Sequence, residues 1–479
     1  MRHLYGIAQI GSASELIPFD VGSTGGLTER QDHTVPVPYA ARSLVVGRNG
    51  RTVYVGSTQG FDNNDDLVPG TIKAYAVAAD GSLTLLQTVA APPRQMLITP
   101  DGSRLIEWDD YGLVVSFPIQ PDGSLGPARP NPSVTGSARA LAVTPDGSTL
   151  YVATYPQQLE QYAIGADGAL SALTPAELGL YGCGADFLGV TPDGTQLDAT
   201  CYNRAITLSL AAGGGLTFNG SLFSTWGGSP NVEDVRGRAF YKAIFPNALE
   251  HLQRQSDGTL LDFPTPLIFN PDRLSGIAAD PGGSMLAVAT ATNKLETYAI
   301  NADGSLSSGP VATIATTRNA LSLLSYAPDQ PPIADLKASR DGSTVHFDAS
   351  ASEAVDGTVA RYDWTFGDGT VLVDGGAAPT HSYAGVGEYT ATVTLTDGAG
   401  CSVAETFTGM MSICAGSSDV ATSTLVHVTA DAGAPPVSPP QPAAPTPSAM
   451  PLTPDTSPAE TPLLPTVPET LVVPRSLTR

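Results

Sequence analysis

Basic residues are scarce in this chain: 23 Lys and Arg stand against 46 Asp and Glu in 479 residues, a formal net charge of -23. An acidic surface repels phosphate backbones, so no nucleic-acid partner is expected. The acidity itself speaks to solubility and not to fold. Long apolar runs are also missing. None approaches the ~20 residues that a bilayer-spanning helix needs, so no transmembrane segment is expected. The opening stretch, MRHLYGIAQIGSASELIPFDV, has no charged segment followed by an unbroken apolar one, and no signal peptide is read there. Cysteine is rare too. The four cysteines fall into two local pairs, Cys183 with Cys201 and Cys401 with Cys414, without C-x-x-C spacing or a nearby zinc-pattern His. Two disulfides suit an exported protein, and four buried thiols suit a cytosolic one. The expected location is extracellular or cell-surface, with the cytoplasm as the alternative.

Turn formers and β formers are abundant. There are 50 Gly and 41 Pro, with much Thr, Val and Ala, a mix that favours an all-β fold rich in turns. Two series of Asp-Gly turns interleave. One reads TPDG at Thr99–Gly102, Thr144–Gly147 and Thr191–Gly194, with RNG at Arg48–Gly50 and DPGG at Asp280–Gly283 in the same place. The other reads ADGSL, PDGSL, ADGAL, SDGTL and ADGSL, beginning at Ala79, Pro121, Ala166, Ser256 and Ala302. Each series repeats at roughly 45 residues, the length of a four-stranded propeller blade. Asp-Gly supplies the positive-φ turn of a short hairpin, and runs such as TLYVAT are β-branched and aromatic.

Six full units begin near Arg42, Arg94, Arg139, Asp186, Asn231 and Arg273. Three strands precede them and one strand, Arg318–Tyr326, follows. Together those make a seventh blade that closes the ring and removes exposed sheet edges. Through TPDGSTLYVAT at 144–154, TPDGSRL at 99–105 and the ADGSL turns, residues 1–328 resemble the seven-bladed lactonase-like propellers. That group includes 6-phosphogluconolactonase and the YVTN-repeat surface proteins.

After the Pro-marked linker DQPPIADL the pattern changes. Residues 329–430 resemble a PKD domain, an immunoglobulin-like sandwich. The carriers are W-T-F-G-D-G at Trp364–Gly369 and H-x-Y-x-x-x-G-x-Y-x-x-x-V from His381, with Thr365 where the family has an acid. Cys401 and Cys414 would close a short loop in it. From 431 to 479 the sequence is Pro, Thr, Ser and Ala without periodicity, which predicts a disordered tail or a glycosylated stalk.

Candidate chemistry follows from aligning the starts of the innermost strands. The aligned residues are Arg42, Arg94, Arg139, Asp186, Asn231, Arg273 and Arg318, five guanidiniums at one expected channel mouth. Arg suits carboxylate or phosphate. Either a small anion binds there, or each Arg pairs with the next blade. The loop GFDNNDDLVPG offers Asp62, Asn63, Asn64, Asp65 and Asp66 as hard oxygen ligands for Ca²⁺, although it lacks EF-hand order. Asp109 and Asp110 occupy the equivalent loop of the next blade. No other cofactor is implied. Cys183 and Cys201 flank the turn at 191–194, so antiparallel pairing would bring them together.

Lactonase-like propellers tend to place His beside Arg in the channel. Here His3, His33 and His251 fall outside that register, which leaves Asp186, Glu233 and Asp234 as candidate bases. The expectation is a monomeric, non-catalytic exported binding or adhesion protein. Its propeller face would bind protein, carbohydrate or a small anionic ligand, with the PKD domain as spacer. The alternative is a lactonase acting on an anionic sugar lactone.

Overall fold

The computed structural model describes residues 2–429, save 11–12, 39, 62–66, 79, 110–111, 132–133, 135–136, 156–157, 174–184, 202–203, 212–214, 224–229, 245–246, 319–320, 356 and 411. Seven antiparallel sheets form the blades of a propeller. Blade one joins the two ends of the repeat region: Arg2–Ile10, Ala13–Val21 and Leu27–Glu29 pair outward from Leu321–Tyr326. Blades two to seven start with the inner strands Ala41–Val46, Gln95–Ile98, Ser137–Val143, Phe187–Val190, Asn231–Glu233 and Leu274–Ala279. Ring closure by a late strand is therefore as the repeat count predicts.

The TPDG turns explain how each blade reverses. Gly102, Gly147 and Gly194 all sit at φ 70°, in the left-handed region that favours glycine. In each turn the threonine hydroxyl donates to the aspartate two residues on, at 2.7 Å for Thr99–Asp101, 2.5 Å for Thr144–Asp146 and 2.6 Å for Thr191–Asp193. Neighbouring blades are tied through the other turn series. The Tyr54 hydroxyl of blade two donates to the Gly123 carbonyl of blade three at 2.8 Å, and Tyr241 of blade six does the same to Gly304 of blade seven. The apolar core lies between blades. Val55 and Leu44 pack with Tyr5 and Ile7, for example, and Ala153 and Tyr151 pack with Leu188 and Leu197.

The second domain is a sandwich. One sheet holds Lys337–Asp341, Thr344–Asp348 and Thr380–Ser382. The other holds Val371–Leu372, Val359–Thr365, Gly387–Asp397 and Ala421–Val428. Trp364, Phe347, Phe366 and Tyr383 fill its core. Thr365, in the place of the usual acid, is exposed and lies opposite Val371 and Thr392 in the sheet.

This domain reaches into the propeller. Residues Cys401–Cys414, bridged by a disulfide with Cα atoms 5.4 Å apart, carry the short hairpin Thr406–Phe407 and Ser412–Cys414. Val143 and Val190 are the last residues of two adjacent inner strands. Their amides donate to the carbonyls of Gly409 (2.9 Å) and Thr408 (3.3 Å). Phe407 joins the core with Leu97, Leu141 and Val143, and Ile413 joins Val235, Ile277 and Ala279. The hairpin thus seats at the lower mouth of the ring, where the inner strands end.

Candidate functional site

The upper mouth is where the inner strands begin, and there the chain bulges. In blade two Ala41 faces Ser57 and Ser43 faces Gly56, which leaves Arg42 as the extra residue. In blade four Ala138 faces Thr154 and Ala140 faces Ala153, which leaves Arg139. In blade three Gln95 faces Trp108 while the Arg94 amide also donates to the Trp108 carbonyl at 2.8 Å. Asp186 and Phe187 share Thr200 in the same way in blade five. A β-bulge of this kind re-aims its extra side chain out of the ladder.

The bulge lies five residues before the residue that opens the lower turn: Gly47, Thr99, Thr144, Thr191 and Asp280, whose amides bond across the turn. Counted this way, blade seven places Ser275 at the bulge, as its ladder also shows, and blade one places Ser322. Blade six opens its turn with Asp234, and the residue five before it, 229, lies outside the described residues. The expected ring of five arginines is therefore corrected. Arg42, Arg94 and Arg139 are equivalent and form an arc on three consecutive blades, with Asp186 next. Arg273 lies two residues before the register, Asn231 two after it, and Arg318 four before it. The alignment on apolar runs missed this because the bulge is counted from the lower turn, and that turn lies five residues after Arg42, Arg94 and Arg139 but seven after Arg273 and nine after Arg318.

The arc is open to solvent. Arg42 and Arg94 are exposed, as is Asp186, and Arg139 is half-buried. Arg139 lies over the ring of Tyr155, 5.6 Å from its centroid, and that tyrosine is 58 % exposed. Neither Arg42 nor Arg139 has a carboxylate partner among the described residues. Arg318 does: its Nε lies 2.7 Å from Glu15 Oε2.

Behind Asp186 sits a buried polar group. Asn231 Nδ2 donates to Thr200 Oγ1 at 3.1 Å. Lys242 lies opposite Asn231 and Glu250 in the blade-six ladder, almost without exposure. Burial lowers the pKa of Lys242, against the opposing pull of Glu250 and Asp186. Sequence reasoning missed Lys242, although a lysine inside the run AFYKAI was a visible signal.

Two of the three candidate bases prove structural. Glu233 and Asp198 both bind Arg254 in a buried network, with Arg254 Nη2 2.6 Å from Glu233 Oε1. Burial pushes Glu233 well above the carboxylate range. Asp234 is held by Arg238, with Nε at 2.8 Å and Nη2 at 3.0 Å, in the lower turn of blade six. Only Asp186 of the three lies at the upper mouth. The histidines stay out of the register: His3 is bonded to Asp20 at 3.0 Å, and His251 is buried in blade six.

Glu107, unmarked by sequence reasoning, is buried between strands with Oε2 unpartnered. Burial, and then Asp109, push its carboxyl up to about 8. Asp109 itself accepts the Leu113 amide at 2.8 Å and closes its own turn. The proposed Ca²⁺ ligands Asp62, Asn63, Asn64, Asp65 and Asp66, and also Asp110, lie outside the described residues. Asp329, Asp397 and Cys401 do come together. That sulfur is in the disulfide, and Asp397 Oδ1 accepts the amides of Ala399 (2.9 Å) and Cys401 (2.8 Å), so the group serves the fold. Cys201 is disulfide-bonded, and Cys183, its expected partner, lies outside the described residues. A cleft of about 550 Å³ lies at the lower side, between the turns at Arg48 and Gly123 and the linker Gln330–Ile333.

Comparison with known proteins bears on both domains. Residues 328–412 match the PKD domain. The propeller has the lactonase-like fold. A 6-phosphogluconolactonase candidate from Bacteroides fragilis superposes with a TM-score of 0.56 at 19 % identity, covering 68 % of this chain and 97 % of that one. The periplasmic gluconolactonase PpgL of Pseudomonas aeruginosa gives 0.54 at 18 % identity, covering 68 % and 98 %. At such identity the likeness is one of fold. No curated protein matches the sequence.

Proposed function

We propose that this chain is a non-catalytic exported binding protein whose upper propeller mouth takes an anionic ligand. One observation carries the reading. In a chain with 46 acids and 23 bases, Arg42 and Arg139 stand at equivalent bulges with no carboxylate of their own among the described residues. A solvent-accessible guanidinium without a carboxylate partner among so many acids is a fork available to an outside anion. The PKD match and the Cys401–Cys414 disulfide support export. The seated hairpin supports a propeller read from one mouth.

Titration calorimetry of the full chain with a sugar acid such as gluconate or 6-phosphogluconate tests it. Heat that falls in Arg42→Ala and in Arg139→Ala is the expected result. Absence of anion binding to the wild-type chain removes the reading.

A second reading has one observation in its favour. Asp186 occupies the bulge beside Arg139, where a base facing an oriented lactone would stand. Turnover of 6-phosphogluconolactone that Asp186→Asn abolishes would replace the binding protein with a hydrolase.

A further inference from the structure

Resting on that binding reading, we infer that the arc Arg42–Arg94–Arg139 with Tyr155 is a platform for an acidic oligosaccharide of the uronate class. It would run across blades two to four. The site repeats with the blade: one backbone position, one residue type, three successive copies. A ligand that repeats its charge matches such a site, whereas a single small anion would use one copy.

The chemistry of each end narrows the class. Arg139 lies over the ring of Tyr155, 5.6 Å from its centroid, a cation–π contact that uses none of its N–H donors and leaves them for a carboxylate. Tyr155 is still 58 % exposed. That free apolar face suits the C–H face of a sugar ring, as an aromatic with one wet side does. No Gly-rich phosphate cradle accompanies the arginines. The arc also has ends. Asp186 follows Arg139 at the next bulge and repels further negative charge, and the bulges of blades one and seven carry the neutral Ser322 and Ser275.

Exposure sets how affinity would build. An exposed ion pair contributes little by itself and is screened by salt. Affinity then comes from engaging several arginines with one chain, and it should climb with ligand length.

The test is calorimetry of the full chain with galacturonate, trigalacturonate and neutral maltotriose. Trigalacturonate is expected to bind at least about tenfold tighter than the monomer, to weaken as salt rises, and to weaken again in Arg42→Ala, Arg94→Ala and Arg139→Ala. Tyr155→Phe should retain binding and Tyr155→Ala should lose it. Salt dependence of the wild type needs no variant and stands even where a substitution perturbs folding. Equal affinity for monomer and trimer overturns this inference and leaves a simple anion site. Maltotriose binding as well as trigalacturonate overturns the acidic class. Loss of all Arg-dependent anion binding overturns both this inference and the function on which it rests.

Discussion

The Val143 amide donates to the carbonyl of Gly409 at 2.9 Å, which ties the end of an inner propeller strand to the second domain. Val190, at the same place in the next blade, bonds Thr408. These amides would otherwise face the open lower mouth. The PKD-like domain is therefore part of how the ring ends, and several consequences can be measured.

Gly409 should tolerate no side chain. Its φ is +79° and an added Cβ would lie 2.5 Å from the Val190 nitrogen. In Gly409→Ala the hairpin cannot keep its seat, so the Val143 and Val190 amides should exchange hydrogen faster while the amides of the outer strands do not. Phe407→Ala, at 1 % exposure, should do the same and cost about 3–5 kcal/mol of stability.

Cys401 and Cys414 brace that hairpin across a separation of 13 residues. Replacing both with Ser should cost about 3 kcal/mol in denaturant unfolding. Faster exchange at Val190 should accompany it. Unchanged stability in the double variant would mean that packing of Phe407 and Ile413 is sufficient to hold the loop.

Arg254 bridges Asp198 and Glu233 inside blades five and six. Arg254→Met leaves Asp198 and Glu233 buried without their shared cation, with Glu233 already held in its protonated form, and should destabilise the chain by about 3–5 kcal/mol. Replacing all three by apolar residues should cost much less than the single change, because no buried charge remains. Urea midpoints of the two variants decide this.

Glu107 predicts a pH dependence. Burial and Asp109 raise its folded pKa to about 8, while the unfolded carboxyl titrates near its ordinary value of 4.5. Between those values the folded state holds a proton that the unfolded state has lost. The contribution of this group therefore falls as pH rises through that window, by up to about 1.4 kcal/mol per pH unit, and levels off above it. Glu107→Gln keeps the neutral shape and should flatten that slope. A wild-type curve of stability that does not decline toward pH 8 relative to Glu107→Gln would refute the assignment.

Local chemistry made much of this molecule legible. The Asp-Gly turns, with glycine at positive φ and threonine bonded to aspartate, set each reversal within a few residues of sequence. Counting them gives seven blades and the late closing strand. Trp364 and Phe366 likewise announced the sandwich core. The sequence alone therefore determined fold class, blade number and ring closure, because those depend on turns and on alternation along single strands. Tertiary structure decided the rest. Which arginines are equivalent depends on the bulge, and the bulge is counted from a turn that opens with Thr in three blades and Asp in two. Glu233 and Asp234 ceased to be candidate bases once Arg254 and Arg238 were seen beside them, and in the case of Arg254 the partner comes from two strands farther along the chain. The hairpin at the lower mouth joins residues 407–409 to strands more than two hundred positions earlier. Such contacts are set by how blades and domains pack, and no local pattern encodes them.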